Sequence, residues 1–181
     1  MILAPPSLPL LRLLALVLLA GVLPAYGLAL PLEKLNLPDG YRINVWAEVI
    51  NPRQLARNPD GVVFAGSRRA GNVYALIDKD GDHLAETEII LDSGLTQPTG
   101  VTYFEGNLYV GSINKLLVYR NIDSSLNAPP DPEIIYEQLP KERHHGWKFI
   151  DFGPDGNLYF NVGAPCNVCL KNDPRYASIM R

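Results

Sequence analysis

Short apolar runs alternate with glycine-containing turns along most of this chain, and one order of elements recurs three times. In each unit a polar turn leads into an apolar run, at residues 58–66, 104–111 and 153–160. The turn glycines are Gly61, Gly106 and Gly156, which recur at intervals of roughly 45 to 50 residues. This pattern predicts strands that are paired in hairpins.

Further apolar runs follow the first two units and predict two outer strands in each. They cover residues 72–77, 88–91, 115–120 and 133–136. A repeat in which a buried inner strand, a turn and a second strand precede two outer strands is typical of a β-propeller blade of about 40–50 residues. We therefore predict an all-β fold, a β-propeller with about three blades present. The alternative is a β-sandwich, whose strands also recur with turns between them.

Three blades are fewer than the about four to eight with which propellers close. An open array leaves blade faces and strand edges exposed, and residues 178–181 have the sequence of an opening outer strand. We therefore expect residues 28–181 to be the N-terminal part of a longer propeller, truncated at the C-terminus and inactive alone.

The first 27 residues differ from the rest. Residues 10–23 are almost wholly apolar around Arg12, and the small residues Ala25 and Gly27 fit a signal-peptidase site. A signal peptide over residues 1–27 and a periplasmic or secreted protein are predicted. The alternative is an uncleaved membrane anchor, although the apolar run is short for a stable span.

Charge and composition exclude some classes of function. The chain is 47% hydrophobic, which is ordinary for a globular protein, and its formal net charge is −3. Removing residues 1–27 takes away one arginine and no acid, so the predicted mature chain is slightly more acidic. Nucleic acid is therefore not an expected partner.

Several segments resemble the sorbosone dehydrogenase family, which is related to soluble glucose and aldose dehydrogenases that use pyrroloquinoline quinone (PQQ). They are LPDGY (37–41), RRAGNVY (68–74), HHGWKF (144–149), GAPCNVC (163–169) and DPRYASIMR (173–181). The resemblance implies a six-bladed propeller with PQQ on its top face. It also implies a periplasmic oxidoreductase that oxidises a sugar hydroxyl or aldehyde hydrate and passes electrons to an acceptor such as a cytochrome or a quinone.

Two adjacent histidines, His144 and His145, precede the third unit. Imidazole, with an ordinary pKa near 6.5, can take up and release a proton at neutral pH. The resemblance implies that one of them removes the substrate's hydroxyl proton. His145 matches by its separation from Gly153, and His144 is the alternative. On an extended strand only one of the two could face the substrate. Either histidine could instead satisfy backbone groups in a loop.

The basic residues beside this pair, Arg143 and Lys148, are candidate ligands for the carboxylates of PQQ. The alternative for each is a solvated surface charge. The functional alternatives to a quinone enzyme are a non-catalytic propeller that binds a ligand or partner, and a metal-dependent lactonase. Carboxylates on inner strands would favour the lactonase, and a histidine at the rim of a cationic pocket would favour the quinone enzyme.

Cys166 and Cys169 are the only cysteines. Their spacing suits a metal half-site, a redox pair or a local disulfide. Haem attachment would need histidine at position 170, which is Leu170, and no second pair completes a zinc site. With a predicted export signal, an intraloop disulfide is the favoured interpretation.

Asp78, Asp80 and Asp82 alternate as the first carboxylates of a calcium loop do. Two features depart from that pattern, since His83 replaces the sixth-position glycine and Ile89 the final glutamate. A calcium site is therefore one hypothesis, and a polar hairpin turn is the other.

Overall fold

The computed structural model describes residues 30–181, so the predicted signal peptide lies outside the described residues. The chain divides into two units, Met1–Ile43 and Asn44–Arg181. The described part of the first contains a 3₁₀ helix, Leu32–Lys34. All candidate site residues lie in the second unit. Within the described residues, no helix is both long and apolar enough to cross a membrane.

The unit Asn44–Arg181 consists of three antiparallel sheets, and in each sheet the strands pair in chain order. The first sheet contains β1 (Pro52–Arg57), β2 (Val63–Ser67), β3 (Val73–Ile77) and β4 (Thr87–Asp92). The second contains β5 (Gly100–Phe104), β6 (Asn107–Gly111), β7 (Leu116–Tyr119) and β8 (Glu133–Tyr136). The third contains β9 (Ile150–Phe152), β10 (Leu158–Val162) and β11 (Ser178–Met180). A second 3₁₀ helix, Ile122–Ser124, lies between β7 and β8.

The prediction of an all-β propeller with about three blades is confirmed. Each predicted turn joins the first and second strands of a sheet, and the predicted outer strands are β3, β4, β7 and β8. The first strands of successive sheets lie beside one another, because β1 contacts β5 and β5 contacts β9. The sandwich alternative is wrong, since each sheet is a meander and no strand crosses to another sheet.

The expectation of a buried inner strand is wrong for β1. Most of its residues are exposed, and the Leu55 side chain is 59% exposed. The corresponding strand of the second sheet, β5, is buried over its first three residues because it has β1 on one side and β9 on the other. Burial of an inner strand therefore depends on having a neighbouring blade on both sides.

The apolar cores lie between the sheets. Side chains of the first and second sheets form the larger core, around Phe64, Val101 and Tyr119. Side chains of the second and third sheets form a smaller core around Ile150 and Phe160. Burial of these side chains stabilises the stack by about 25 cal/mol for each Å² of apolar surface removed from water.

Alternate connections lie at opposite ends of the sheets, because each strand of a meander reverses the direction of the last. We call one end the histidine face; it is formed by residues 68–72, 93–99, 112–115, 137–149 and 163–177. Backbone hydrogen bonds join neighbouring loops there, from Leu95 to Gly71 (3.0 Å) and from Ile113 to Thr96 (3.0 Å). We call the other end the turn face; it is formed by residues 58–62, 78–86, 105–106, 120–132 and 153–157.

Two polar side chains join the first strands of the three sheets. The Gln54 amide donates to the Ile150 carbonyl (2.6 Å) and accepts from the Ile150 N–H (3.1 Å). The buried Thr99 hydroxyl donates to the Lys148 carbonyl (2.9 Å) and accepts from the Lys148 N–H (2.8 Å). Since a buried backbone group without a partner costs about 1–3 kcal/mol, these side chains fix where residues 148–150 enter the third sheet.

Replacing Thr99 with valine should therefore speed amide exchange at Lys148. The change keeps the shape of the side chain and removes the only described acceptor for that N–H, so exchange should become about tenfold to hundredfold faster. Hydrogen exchange of a peptide that spans residues 145–152 measures this. Thr87→Val, at a threonine of β4 for which the structure shows no side-chain hydrogen bond, is the matched control. Unchanged exchange in Thr99→Val would contradict this assignment.

Candidate active site

His144 and His145 lie in a turn on the histidine face, ahead of β9. The Gly146 N–H donates to the Arg143 carbonyl (3.3 Å), and His145 has a left-handed backbone with φ 53°. The loop that follows β10 packs against this turn at Gly163, where a Cβ would lie 1.8 Å from the His145 carbonyl oxygen. Only glycine can occupy that position, so Gly163 holds the two loops together.

The two imidazoles converge on one side chain of the opposite loop. The Nε2 atoms of His144 and His145 lie 3.0 and 2.7 Å from Asn167 Oδ1. Because a carbonyl oxygen only accepts, each ring donates from Nε2 and keeps its lone pair on Nδ1. The pair is not extended but lies in a turn, so the restriction expected for an extended strand does not apply, and both rings reach Asn167.

Trp147 connects the histidines to two arginines. Its ring centroid is 6.2 Å from that of His145, in an edge-to-face arrangement. The guanidinium carbons of Arg68 and Arg53 lie 4.4 and 5.9 Å from its centroid. Cation–π contacts of this kind favour a charged guanidinium against the indole, so positive charge is held beside the histidine turn.

Lys148 is buried, with 3% of its surface exposed, so the interpretation of it as a solvated charge is wrong. Its Nζ donates to the Gly146 carbonyl (2.8 Å), and burial lowers the pKa of the ammonium to about 8. Lys148 lines a cleft of about 460 Å³ together with Arg53 and Trp147. The other predicted cation, Arg143, is exposed and lines a second cleft on the same face.

Four arginines on or beside the histidine face are not neutralised by the described chain. Within residues 30–181, none of Arg53, Arg68, Arg69 or Arg143 forms an ion pair. Two of the three acids of the same face pair with other cations, because Glu142 lies 3.8 Å from Lys171 and Asp173 lies 2.5 Å from Arg175. This end of the sheets can therefore attract an anionic ligand.

The loop that carries Asn167 also carries both cysteines. The sulfur atoms of Cys166 and Cys169 lie at bonding distance, 1.97 Å, with Cα atoms 5.8 Å apart. A bond between cysteines only three positions apart restricts the backbone on each side of Asn167. Formation of the bond in the exported protein stays a prediction, which counting of alkylated thiols would decide.

The acidic loop lies on the turn face, between β3 and β4. Asp78, Asp80, Asp82 and Glu86 can each bring one oxygen to within 4.8 Å of the others. The Asp78 carboxylate also accepts hydrogen bonds from the N–H groups of Gly81 (2.7 Å) and His83 (3.1 Å). The calcium site stays a prediction. A cation there would support the β3–β4 turn at the end of the sheets opposite His144 and His145.

Sequence reasoning missed Asn167, Arg68 and Trp147 as members of the site. Nothing in the sequence distinguished Asn167 except its position between the two cysteines. Arg68 belongs to the β2–β3 connection and His145 to the β8–β9 connection, so their proximity follows from strand alternation and not from spacing. That alternation was the available signal for their proximity.

Comparison with known proteins identifies the fold. No family model matches the sequence. An uncharacterized protein of Borreliella burgdorferi is 24% identical over 146 residues, which cover 74% of this chain and 37% of that protein.

Among solved structures, the holo form of the PQQ domain of a Coprinopsis cinerea pyranose dehydrogenase matches with a TM-score of 0.62 and 12% identity, over 74% of this chain and 33% of that one. The PQQ-bound aldose sugar dehydrogenase of Streptomyces coelicolor matches with a TM-score of 0.56 and 20% identity, over 74% and 45%. A calcium structure of a Trichoderma reesei family AA12 carbohydrate-active enzyme matches with a TM-score of 0.54 and 15% identity, over 66% and 31%.

These likenesses show that the chain has the β-propeller fold of PQQ-domain sugar dehydrogenases. It spans about a third to less than half of the length of the proteins that it matches. At these identities the likeness is one of fold, so the activity has to be argued from the residues of the site.

The Lys148 ammonium should titrate with a midpoint near pH 8, far below the ordinary value of 10.5. The folded protein would then release this proton before the unfolded chain does, so the free energy of unfolding should rise with pH between about 8 and 10.5. The ¹³Cε chemical shift of Lys148 measures the midpoint, and loss of the signal in Lys148→Met assigns it. A midpoint above pH 10 would show that the ammonium is solvated.

Proposed function

We propose that this chain is part of an exported PQQ-dependent dehydrogenase that oxidises a sugar. The observation that carries the proposal is the convergence of both imidazoles on Asn167, on a face where Arg68, Arg69 and Arg143 have no carboxylate partner among residues 30–181. A proton acceptor beside a cationic pocket is what oxidation of a hydroxyl by an anionic quinone requires. The likeness in fold to a PQQ-bound aldose sugar dehydrogenase supports it.

The histidine face fits an anionic cofactor. The Nε of Arg68 is buried and has no hydrogen-bond acceptor in the described chain, so it is ready to pair with a carboxylate. Arg143 would supply a second guanidinium, and protonated Lys148 would add positive charge from the wall of the larger cleft. Arg143 and Lys148 would hold carboxylates of PQQ.

His145 is the better placed of the two proton acceptors. It is half-buried, contacts Trp147 and makes the shorter hydrogen bond to Asn167, whereas His144 is exposed. The chemistry that PQQ supplies when bound is acceptance of a hydride from the sugar carbon. His145 Nδ1 takes the proton of the sugar hydroxyl. Asn167 Oδ1 then stabilises the imidazolium, because a charged N–H donor makes the stronger hydrogen bond.

Lys148 acts on the turn that holds the histidines. Its Nζ donates to the carbonyl of Gly146, the residue that directly follows His145. An ammonium in this buried position fixes the carbonyl and places a positive charge behind the turn.

The finer parts of the proposal follow from the sequence. The resemblance to sorbosone dehydrogenases favours an aldose or a sorbosone-like sugar as substrate, and a cytochrome or quinone as electron acceptor. The apolar N-terminal segment favours export to the periplasm, where PQQ enzymes of this kind would be loaded. Residues 28–181 would supply the first blades of the complete propeller.

Replacing His145 with glutamine should lower turnover about 10²–10⁴-fold, as expected for loss of a general base. PQQ affinity, measured by titration calorimetry, should be largely unchanged. His144→Gln should have a smaller effect, because that ring is exposed and farther from Asn167. Dye-linked sugar oxidation by the PQQ-loaded complete protein measures both variants.

The third histidine of the chain provides the control. His83 lies on the turn face, so His83→Gln should leave turnover unchanged. If His144→Gln were the more damaging change in a folded protein, the roles of the two histidines would be reversed. If neither variant lost activity, the face would not be catalytic.

A further inference from the structure

A second cleft on the histidine face is lined by three arginines. It has a volume of about 260 Å³, and its walls are Arg68, Arg69 and Arg143 with residues 94–97. The cleft is formed where the β2–β3, β4–β5 and β8–β9 connections meet. Arg143 directly precedes His144, so the cleft adjoins the proposed proton acceptors.

Two residues that line this cleft each carry a buried polar atom without a partner among the described residues. The atoms are Arg68 Nε, a donor, and Gln97 Oε1, an acceptor. Gln97 also has a left-handed backbone, φ 48°, which is uncommon for a residue other than glycine. Because buried polar groups are normally satisfied, a donor and an acceptor left open in one cleft indicate a ligand that offers the complementary pair.

The charge of the cleft defines one part of that ligand. Its three guanidinium groups form no ion pair within residues 30–181, although the whole chain has a net charge of −3. Guanidinium groups bind carboxylates in bidentate geometry. An anionic group in the cleft would remove the repulsion among the three cations and satisfy Arg68 Nε.

We propose that this cleft binds the carboxylate of a sugar acid, so that the enzyme oxidises acidic sugars in preference to neutral ones. The inference rests on the proposed function, since it names the substrate class of the same face. The carboxylate lies between Arg68 and Arg69. A sugar hydroxyl donates to Gln97 Oε1.

Two observations favour a sugar acid over a carboxylate arm of PQQ. The cleft volume of about 260 Å³ lies below the range of about 300–1,000 Å³ that is usual for pockets of drug-sized ligands. The cleft therefore suits one small ring and not a three-ring quinone. A carboxylate arm of the quinone also accepts hydrogen bonds only, and it would leave Gln97 Oε1 without a donor. A sugar acid carries both the anion and the hydroxyl donors.

Two side-chain contacts connect this cleft to the reacting group. The Arg68 guanidinium lies against the Trp147 ring, and the same ring lies against His145. An acid held by Arg68 and Arg69 therefore places the rest of its sugar beside Trp147 and the histidine turn. The arginine cleft orients the substrate, and His145 acts on it.

Titration calorimetry with D-glucuronate and D-glucose tests the inference directly, because these sugars differ only in the carboxylate. The complete protein without PQQ should bind D-glucuronate at least about tenfold more tightly than D-glucose, the effect expected of a charge-assisted hydrogen bond. Arg69→Gln should abolish that preference, and Arg69→Lys should restore part of it. Arg69 is exposed, so the change should not affect folding.

Arg57→Gln is the matched control, because Arg57 is exposed at the turn-face end of β1; it should leave both affinities unchanged. With PQQ bound, the ratio of kcat/KM for the acid to that for the neutral sugar should fall about tenfold or more in Arg69→Gln. Equal binding of both sugars would overturn the inference. So would weaker PQQ affinity in Arg69→Gln without any D-glucuronate binding, which would assign the cleft to the quinone. Neither result would affect the role of His145.

Discussion

Antiparallel pairing of strands in chain order is the constraint on which the site depends. It places alternate connections at opposite ends of every sheet, so five loops that are distant in sequence meet on the histidine face. It also separates the acidic loop of residues 78–86 from His144 and His145. A cation bound by that loop would stabilise a turn, and would not contact a quinone beside the histidines. The division of roles between the two ends thus follows from backbone hydrogen bonding before any side chain is considered.

The histidine face combines three features that lower the stability of the folded protein unless a ligand is bound. Lys148 is buried with a lowered pKa, several arginines lie without carboxylate partners among residues 30–181, and two buried polar atoms have no hydrogen bond. In a protein interior such groups destabilise the fold. Around a binding site they are the groups that an anionic, hydroxyl-bearing ligand would satisfy. The rigid supports of the face, which are the Thr99 and Gln54 hydrogen bonds and the close approach at Gly163, hold these groups in place.

The fold could be predicted from local signals, whereas the site could not. Turn glycines such as Gly106 and short apolar runs are short-range features, and they predicted the turns and strands correctly. The burial of Lys148 was missed, because a lysine beside an exposed turn is solvated unless neighbouring strands cover it, and the covering residues come from other sheets. The pairing of His145 with Asn167 and of Arg68 with Trp147 was missed for the same reason. The exposure of β1 also depends on its neighbours, not on its own sequence.

The central claim is that the histidine face, and not the turn face, holds the cofactor and the substrate. A crystal structure of the complete protein with PQQ bound tests it most directly. We expect quinone density on the histidine face, within reach of His145 and with a carboxylate beside Arg143 or Lys148. Quinone density at the turn face, beside the acidic loop of residues 78–86, would show that the cofactor binds at the opposite end of the sheets.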